Sequence, residues 1–223
     1  MPADFDAAYW APAVGSVTSF NLTGLTVSPF GNGLLLAFIT AFSAISAPTA
    51  TWDSGGTNQA MTLVTSQANV GATVTTYMFR LVNPTPGKKT LAFSWTTASS
   101  NIGFMASSWV GVNQGAPTYT VVPGNGTSTT PNTTVFNVNA GDIATALLQT
   151  STHSLLNVGN TPILVESSFG TGQNYTKTGG ASVTLSGTAS GSDNWISIGL
   201  AISAAEGGNS IDIRKVRSGG WDW

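Results

Sequence analysis

Hydrophobic and polar residues alternate along most of the chain with a period of two. In the run 89–97, Leu91, Phe93 and Trp95 occupy every second position. Because successive side chains of a β-strand point to opposite faces, this pattern predicts strands with one face turned to a core. The stretch 34–48 is apolar almost throughout. It is too short to span a bilayer, and we interpret it as a strand that is buried on both faces.

Turn-forming residues separate these runs at intervals of roughly 8–12 residues. The stretch 83–87, Asn-Pro-Thr-Pro-Gly, is one such turn, since proline fixes φ and glycine adopts positive φ. No run shows a convincing amphipathic-helix period, and no internal repeat is visible. The sequence therefore predicts an all-β protein, an antiparallel, jelly-roll-like β-sandwich of about ten to twelve strands with no substantial helix.

Composition narrows the classes of function. Charged residues make up 7% of the 223 residues, against roughly 25% in an average globular protein. Hydrophobic residues make up 41%, which excludes a disordered chain. The net charge of −2 argues against nucleic-acid binding, and the absence of cysteine excludes disulfides and thiolate metal sites. The start of the chain has no basic region before an apolar segment, so we expect no signal peptide.

The few charges are concentrated toward the two termini. We therefore divide the chain into an N-terminal arm, residues 1–14, a single β-sandwich domain, residues 15–205, and a C-terminal tail, residues 206–223. A nearly uncharged body experiences little electrostatic repulsion from copies of itself. We expect this body to tolerate close packing in an assembly.

Six strings along the body form a further pattern. In chain order they are GLLLAFIT, ATWDSGGTNQAMTLV, TTYMFRLVNPTPGKKTLAFSW, MASSWVGVNQGAP, VNAGDIATALLQT and NWISIGLAIS. Through these strings, residues 16–203 resemble a recurrent jelly-roll-like β-sandwich module of bacterial surface or extracellular proteins and of phage-encoded proteins. The shared features are turns and core positions, so the resemblance implies a fold and a setting but no catalytic signature.

The sequence offers little material for catalysis. His153 is the sole histidine, and no nucleophile motif accompanies it. Asp142, Glu166 and Asp193 are isolated along the chain, whereas glycoside hydrolysis needs two carboxyl groups that flank one bond. The two aspartates of the segment 4–6 could share only a weakly held cation. We expect no enzymatic activity, no cofactor and no metal.

Aromatic residues on an uncharged sheet indicate an alternative function, the binding of a glycan. Their rings can lie against sugar faces while neighbouring Asn, Gln and Thr side chains supply hydrogen bonds. The candidates are Trp109, Tyr119, Tyr175 and Trp195, the last lying opposite the apolar face of the run 194–203. The competing interpretation is that Trp109 belongs to the core and that Trp195 packs on a second sheet or a neighbouring subunit.

Large apolar residues also occur in both terminal segments. Because such side chains gain nothing in water, they are typical anchors at protein interfaces. We predict that the partner-docking residues are Phe5, Tyr9 and Trp10 in the N-terminal arm and Ile211, Ile213, Val216, Trp221 and Trp223 in the C-terminal tail. An extended tail could add a strand to a partner's sheet edge. The alternative is that both segments fold back on their own domain.

These observations favour a non-enzymatic structural or interaction protein. We expect a phage virion component, such as a capsid decoration, head-fibre or tail-associated protein, that assembles as a homo-oligomer or with other virion proteins. Its expected location is the virion, or the extracellular space after assembly in the cytoplasm. The alternative is a surface or receptor-binding module for a cell-surface glycan. Neither function involves nucleic acid or insertion into a membrane.

Overall fold

A computed structural model describes residues 2–13, 16–99, 101–166, 170–177 and 179–205. These residues form β-strands joined by turns, and the paired strands run antiparallel. Among them, no helix is long and apolar enough to cross a membrane. The prediction of an all-β, antiparallel fold is confirmed.

The first half of the chain forms two facing sheets. Its strands are β1 (Asp4–Ala13), β2 (Val17–Leu22), β3 (Thr26–Val27), β4 (Leu34–Ala41), β5 (Thr49–Trp52), β6 (Gln59–Ala60), β7 (Thr62–Ala68), β8 (Thr75–Val82), β9 (Gly87–Lys88), β10 (Leu91–Ser99) and β11 (Ile102–Val110). One sheet has the order β1-β11-β4-β8-β7 and the other β2-β10-β5-β6, while β3 and β9 form a separate ribbon. The core between the two sheets includes Trp52, Phe93 and Phe104.

The second half forms another pair of facing sheets. Its strands are β12 (Thr118–Ser128), β13 (Asn132–Val138), β14 (Ile143–Thr150), β15 (Leu155–Val158), β16 (Thr161–Glu166), β17 (Thr171–Thr176), β18 (Gly180–Ala189) and β19 (Asp193–Ile202). The strand orders are β12-β19-β14-β17-β16 and β13-β18-β15. The core between these sheets includes Val135, Leu148 and Leu185.

The two pairs of sheets stack face to face, so the molecule has four layers. We call the two five-stranded sheets the inner sheets, and β2-β10-β5-β6 and β13-β18-β15 the outer sheets. A third core, the central layer, joins Phe38, Met105 and Trp109 of one inner sheet to Leu147 and Ile198 of the other. Every residue of β4 is buried. This confirms the prediction that the apolar stretch contains a strand buried on both faces.

The two halves share one strand order. The inner order β1-β11-β4-β8-β7 corresponds to β12-β19-β14-β17-β16, and the outer order β2-β10-β5 corresponds to β13-β18-β15. The sequence predicted one pair of sheets with ten to twelve strands, whereas the described residues form two pairs and nineteen strands. A period of two indicates which residues are buried, but it does not indicate how many sheets bury them.

The two ends of the stack are distinguished by where the chain leaves it. The backbone N–H of Ala205, the last described residue, donates to the carbonyl oxygen of Gly111 at 2.8 Å. The end of β19 and the end of β11 therefore lie together, and we call this the upper end. At the opposite, lower end, Nδ2 of Asn69 donates to Oγ of Ser151 at 2.6 Å. This bond joins the loop between β7 and β8 to the loop after β14.

Candidate functional site

Charged side chains lie toward the ends of the stack and are absent from the strands of the outer sheets. Neither β2, β10, β5 and β6 nor β13, β18 and β15 contain an Asp, Glu, Lys or Arg residue. Among the described residues, Glu166 and Asp193 lie at the lower end. The charged residues toward the upper end are Asp4, Asp6, Asp53, Arg80, Lys88, Lys89, Asp142 and Lys177. The molecule thus has two charge-free flanks.

The solvent-facing sides of the outer sheets consist mainly of short hydroxyl side chains. On one outer sheet, Oγ1 of Thr49 and Oγ of Ser94 lie 2.7 Å apart across neighbouring strands. On the other, Oγ1 of Thr134 and Oγ1 of Thr184 lie 3.1 Å apart. These hydroxyl groups hydrogen-bond to one another, so each pair depends less on water for partners. Both faces are uncharged, and the second also exposes Phe136 of β13 and Leu156 of β15, which are 50% and 59% exposed.

At the lower end, Asp193 holds the loop that contains the sole histidine. Its Oδ2 accepts the backbone N–H groups of Thr152 and His153 at 2.6 and 2.7 Å. Nδ1 of His153 lies 3.6 Å from the same carboxylate and 3.1 Å from Oγ1 of Thr152. On the other side of the ring, a Cβ atom added to Gly191 would lie 2.5 Å from Nε2. Gly191 thus packs closely against the Nε2 edge of the ring, where a larger residue would collide with it.

Asp193→Asn is expected to lower the free energy of unfolding at pH 7 by about 1–3 kcal/mol, because a charged acceptor of several hydrogen bonds is lost. Burial raises the pKa of Asp193, but the hydrogen bonds from Thr152 and His153 outweigh it, so the pKa lies below its usual 3.8. The contribution of the carboxylate is therefore present above about pH 4 and is lost as the pH falls through the lowered value. Urea unfolding between pH 2 and pH 7 measures both effects.

The matched control for this prediction is Asp4→Asn. Asp4 is half exposed, and its carboxylate pairs with Nζ of Lys177 at 2.7 Å. An exposed pair of this kind contributes about 0–1 kcal/mol. Equal losses of stability in the two variants at pH 7 would contradict the role given to Asp193.

At the upper end, Tyr119 and Asp142 connect the start of β12 to the end of β19. The Tyr119 hydroxyl donates to Oδ2 of Asp142, whose Oδ1 accepts the backbone N–H of Ala204 at 2.7 Å. The backbone N–H of Asn139 donates to the Tyr119 oxygen at 3.0 Å. Burial and the bond to Asp142 raise the pKa of the Tyr119 hydroxyl. These hydrogen bonds give Tyr119 a structural role within its own domain.

The other three candidates for glycan stacking also make contacts within the chain. Trp109 is 1% exposed, which corrects its assignment as a stacking platform, because neither face of its ring is accessible. Tyr175 packs edge-on against Trp109, with ring centroids 5.7 Å apart. Trp195 is half-buried at the lower end, where its Nε1 donates to Oγ of Ser128 at 2.9 Å. The four residues do not converge on one surface.

The aromatic residues of the predicted N-terminal arm belong to strand β1. This strand pairs with β11 from Asp4 to Ala13. Phe5 and Trp10 pack against the central layer, while Tyr9 is 39% exposed and lies against Gly24. The N-terminal segment therefore takes the alternative arrangement, folded on its own domain. The predicted docking residues of the tail, Ile211, Ile213, Val216, Trp221 and Trp223, lie outside the described residues.

The two aspartates considered for a shared cation have separate partners. Oδ1 of Asp4 contacts Lys177, whereas Oδ2 of Asp6 accepts the backbone N–H of Ser28 at 2.9 Å and the hydroxyl of Ser108 at 2.7 Å. Within the part of the chain that the structure describes, no group of three or more His, Asp or Glu side chains is placed to hold a metal. The two carboxylates bind β1 to neighbouring segments of the chain.

The upper end carries a groove that sequence reasoning did not find. The segments 27–33 and 83–86 line a cavity of about 310 Å³. A second, more open hollow of about 530 Å³ shares Pro29 and Pro86 with it and reaches Asp6. The sequence predicted only a turn at 83–87. The signal was Phe30, an aromatic residue inside a stretch of turn-forming residues.

No family model matches the chain, and neither the curated proteins nor the solved structures contain a significant match.

Proposed function

We propose that this protein is a non-enzymatic structural protein that assembles through its two outer sheets, either with copies of itself or with other proteins of a larger particle. The observation that carries the proposal is the absence of charged residues from every strand of both outer sheets. Charged residues elsewhere on the described chain lie toward the ends of the stack.

A charge-free face is suited to burial in an interface. Burying a charged side chain costs several kcal/mol unless it is paired, and the cores of interfaces are accordingly depleted in charged residues. The paired hydroxyl groups Thr49–Ser94 and Thr134–Thr184 reduce the number of hydrogen bonds to water that association would break. Low repulsion and low desolvation cost both favour contact between such faces.

The four-layer stack places the two charge-free faces on opposite sides of the molecule. Each copy therefore offers two surfaces, and a contact between the first face of one copy and the second face of the next is heterologous. Contacts of this type produce rings or open filaments rather than closed dimers. This geometry supports a component of an extended or ring-shaped assembly.

The contacts of the titratable groups support a protein without catalysis. Asp193 and Asp142 each accept several hydrogen bonds from their own chain. Oγ1 of Thr152, which lies 3.1 Å from Nδ1 of His153, donates to Oδ1 of Asp193 at 3.1 Å. If the protein were a hydrolase that depends on His153 or Glu166, substitution of that residue would abolish its activity.

The particle that we propose is a phage virion, with the protein as a capsid decoration, head-fibre or tail-associated component. The resemblance to modules of bacterial surface and phage-encoded proteins supports this setting. The strand order also supports the jelly-roll assignment, because the chain in each half crosses repeatedly between two facing sheets. On this proposal the protein functions outside the cell, as part of the particle.

Assembly is tested by placing a lysine at the centre of each outer face. Ser94 lies on β10 and Thr184 on β18, the strands flanked on both sides in their sheets. The double variant Ser94→Lys, Thr184→Lys is expected to weaken self-association by about a hundredfold, because each contact would bury an unpaired charge. Sedimentation velocity across a wide range of concentrations measures the effect.

The control is Thr62→Lys, which adds the same charge at an exposed position of β7, an edge strand of an inner sheet. This variant should associate like the unmodified protein. The proposal fails if the unmodified protein stays monomeric at every concentration and with purified particles of its source. It also fails if the double variant assembles normally.

A further inference from the structure

The groove at the upper end has walls that are fixed by side-chain hydrogen bonds. The backbone N–H of Thr85 donates to Oε1 of Gln59 at 2.7 Å, and Nε1 of Trp52 donates to the Thr85 carbonyl oxygen at 2.8 Å. The backbone N–H of Asn83 donates to the carbonyl oxygen of Gly33 at 3.0 Å and ties the two walls together. A preformed cavity of this kind loses little entropy when a ligand enters.

The lining of the groove combines polar side chains with rigid apolar groups. Pro29, Pro84 and Pro86 line it together with Val27. Phe30 stands at its rim and is 63% exposed. An aromatic ring left this open to water indicates a surface that gains stability from a covering group.

The described chain ends beside this groove. The backbone N–H of Ala205 donates to Gly111, and the backbone N–H of Val112, the next residue along, donates to the carbonyl oxygen of Asn32 at 2.9 Å. Asn32 is itself part of the groove wall. Ala205 is therefore bonded to the segment 111–112, and that segment is bonded to the groove wall.

We propose that the groove binds the C-terminal segment of the same chain, residues 210–223. This segment contains five large apolar side chains that are suited to cover the groove. They are Ile211, Ile213, Val216, Trp221 and Trp223. Tryptophan rings pack flat against proline rings and bury a large apolar area on each contact. The chemistry of the segment and that of the groove are complementary.

The length of the chain permits this contact within one molecule. The 18 residues that follow Ala205 would reach about 60 Å if extended. Gly207 and Gly208 come directly after Glu206 and tolerate the backbone angles of a reversal. Because the segment is tethered beside the groove, its effective concentration there exceeds that of the same segment on another copy. The contact is independent of assembly through the outer sheets.

Hydrogen exchange of the full-length protein tests the proposal. In the variant Trp221→Ala, Trp223→Ala, backbone amides of residues 27–33 and 83–87 should exchange roughly tenfold faster than in the unmodified protein, because the covering side chains are gone. The reciprocal variant Phe30→Ser should speed exchange in residues 210–223. Phe30 is exposed, so this variant retains its core.

The control Asp222→Asn changes the same segment without removing an apolar side chain, and it should leave exchange at the groove unchanged. Loops at the lower end should exchange equally in all variants. Equal exchange at the groove with and without the two tryptophans would overturn the proposal. Protection that grows with protein concentration would also overturn it, because the occupant would then be the tail of a second copy.

Discussion

Trp109→Ala is expected to lower the free energy of unfolding by about 3–5 kcal/mol, the range found when a large buried aromatic side chain is truncated. Trp109 is 1% exposed and lies in the central layer. Its ring contacts Phe5 at a centroid distance of 5.6 Å and Tyr175 at 5.7 Å, and so joins both halves of the chain. Urea unfolding followed by circular dichroism measures the loss.

Trp195→Ala is the matched control for this prediction. The same type of side chain is removed, but Trp195 is only half-buried. The variant loses one hydrogen bond to Ser128 and the contact of the ring with Gly126. We expect a loss of about 1–2 kcal/mol. If the two variants were equally destabilised, Trp109 would not have the central position that the structure assigns to it.

Separating the two halves is expected to abolish solubility of both. A chain of residues 117–223 would expose the central-layer face of its inner sheet, which includes Leu147, Ile196 and Ile198. A chain of residues 1–116 would expose Leu36 and Phe38 in the same way. Apolar surfaces of this extent cause association in water. We therefore expect insoluble or aggregated halves that bind an apolar dye when expressed separately.

Co-expression of the two halves is the control, and it should restore a soluble complex because the central layer can re-form. The intact chain should unfold in a single transition, since neither half is stable without the other. A half that is monomeric and unfolds cooperatively by itself would contradict this prediction. Two separate transitions in the intact chain would contradict it as well.

Much of the local structure was predictable from the period of two. Leu91, Phe93 and Trp95 were assigned to one face of a strand, and all three lie in the core of the first half. The run 194–203 was assigned an apolar face, and Ile196 and its alternate neighbours form the central layer. These predictions are confirmed because side-chain alternation is a property of the extended backbone itself.

The candidate sites were less predictable, because the type of a residue does not indicate where the fold places its side chain. Trp109 and Tyr175 are far apart in the sequence but in contact across the central layer. Phe5 and Trp10 resembled anchors of a free arm, yet β1 pairs with β11 along its length. Phe30 lies among Pro, Gly and Asn residues in the sequence, and only the fold brings residues 83–86 beside it to form a groove.

The sequence by itself determined the class of fold, the strand faces and the scarcity of charge in the body, because these follow from local alternation, turn residues and composition. Only the tertiary structure decided that two pairs of sheets stack in four layers, and that both outer sheets consist of strands without a charged residue. The reason is that pairing between strands distant in the chain, and the packing of one sheet on another, depend on interactions that no local pattern encodes.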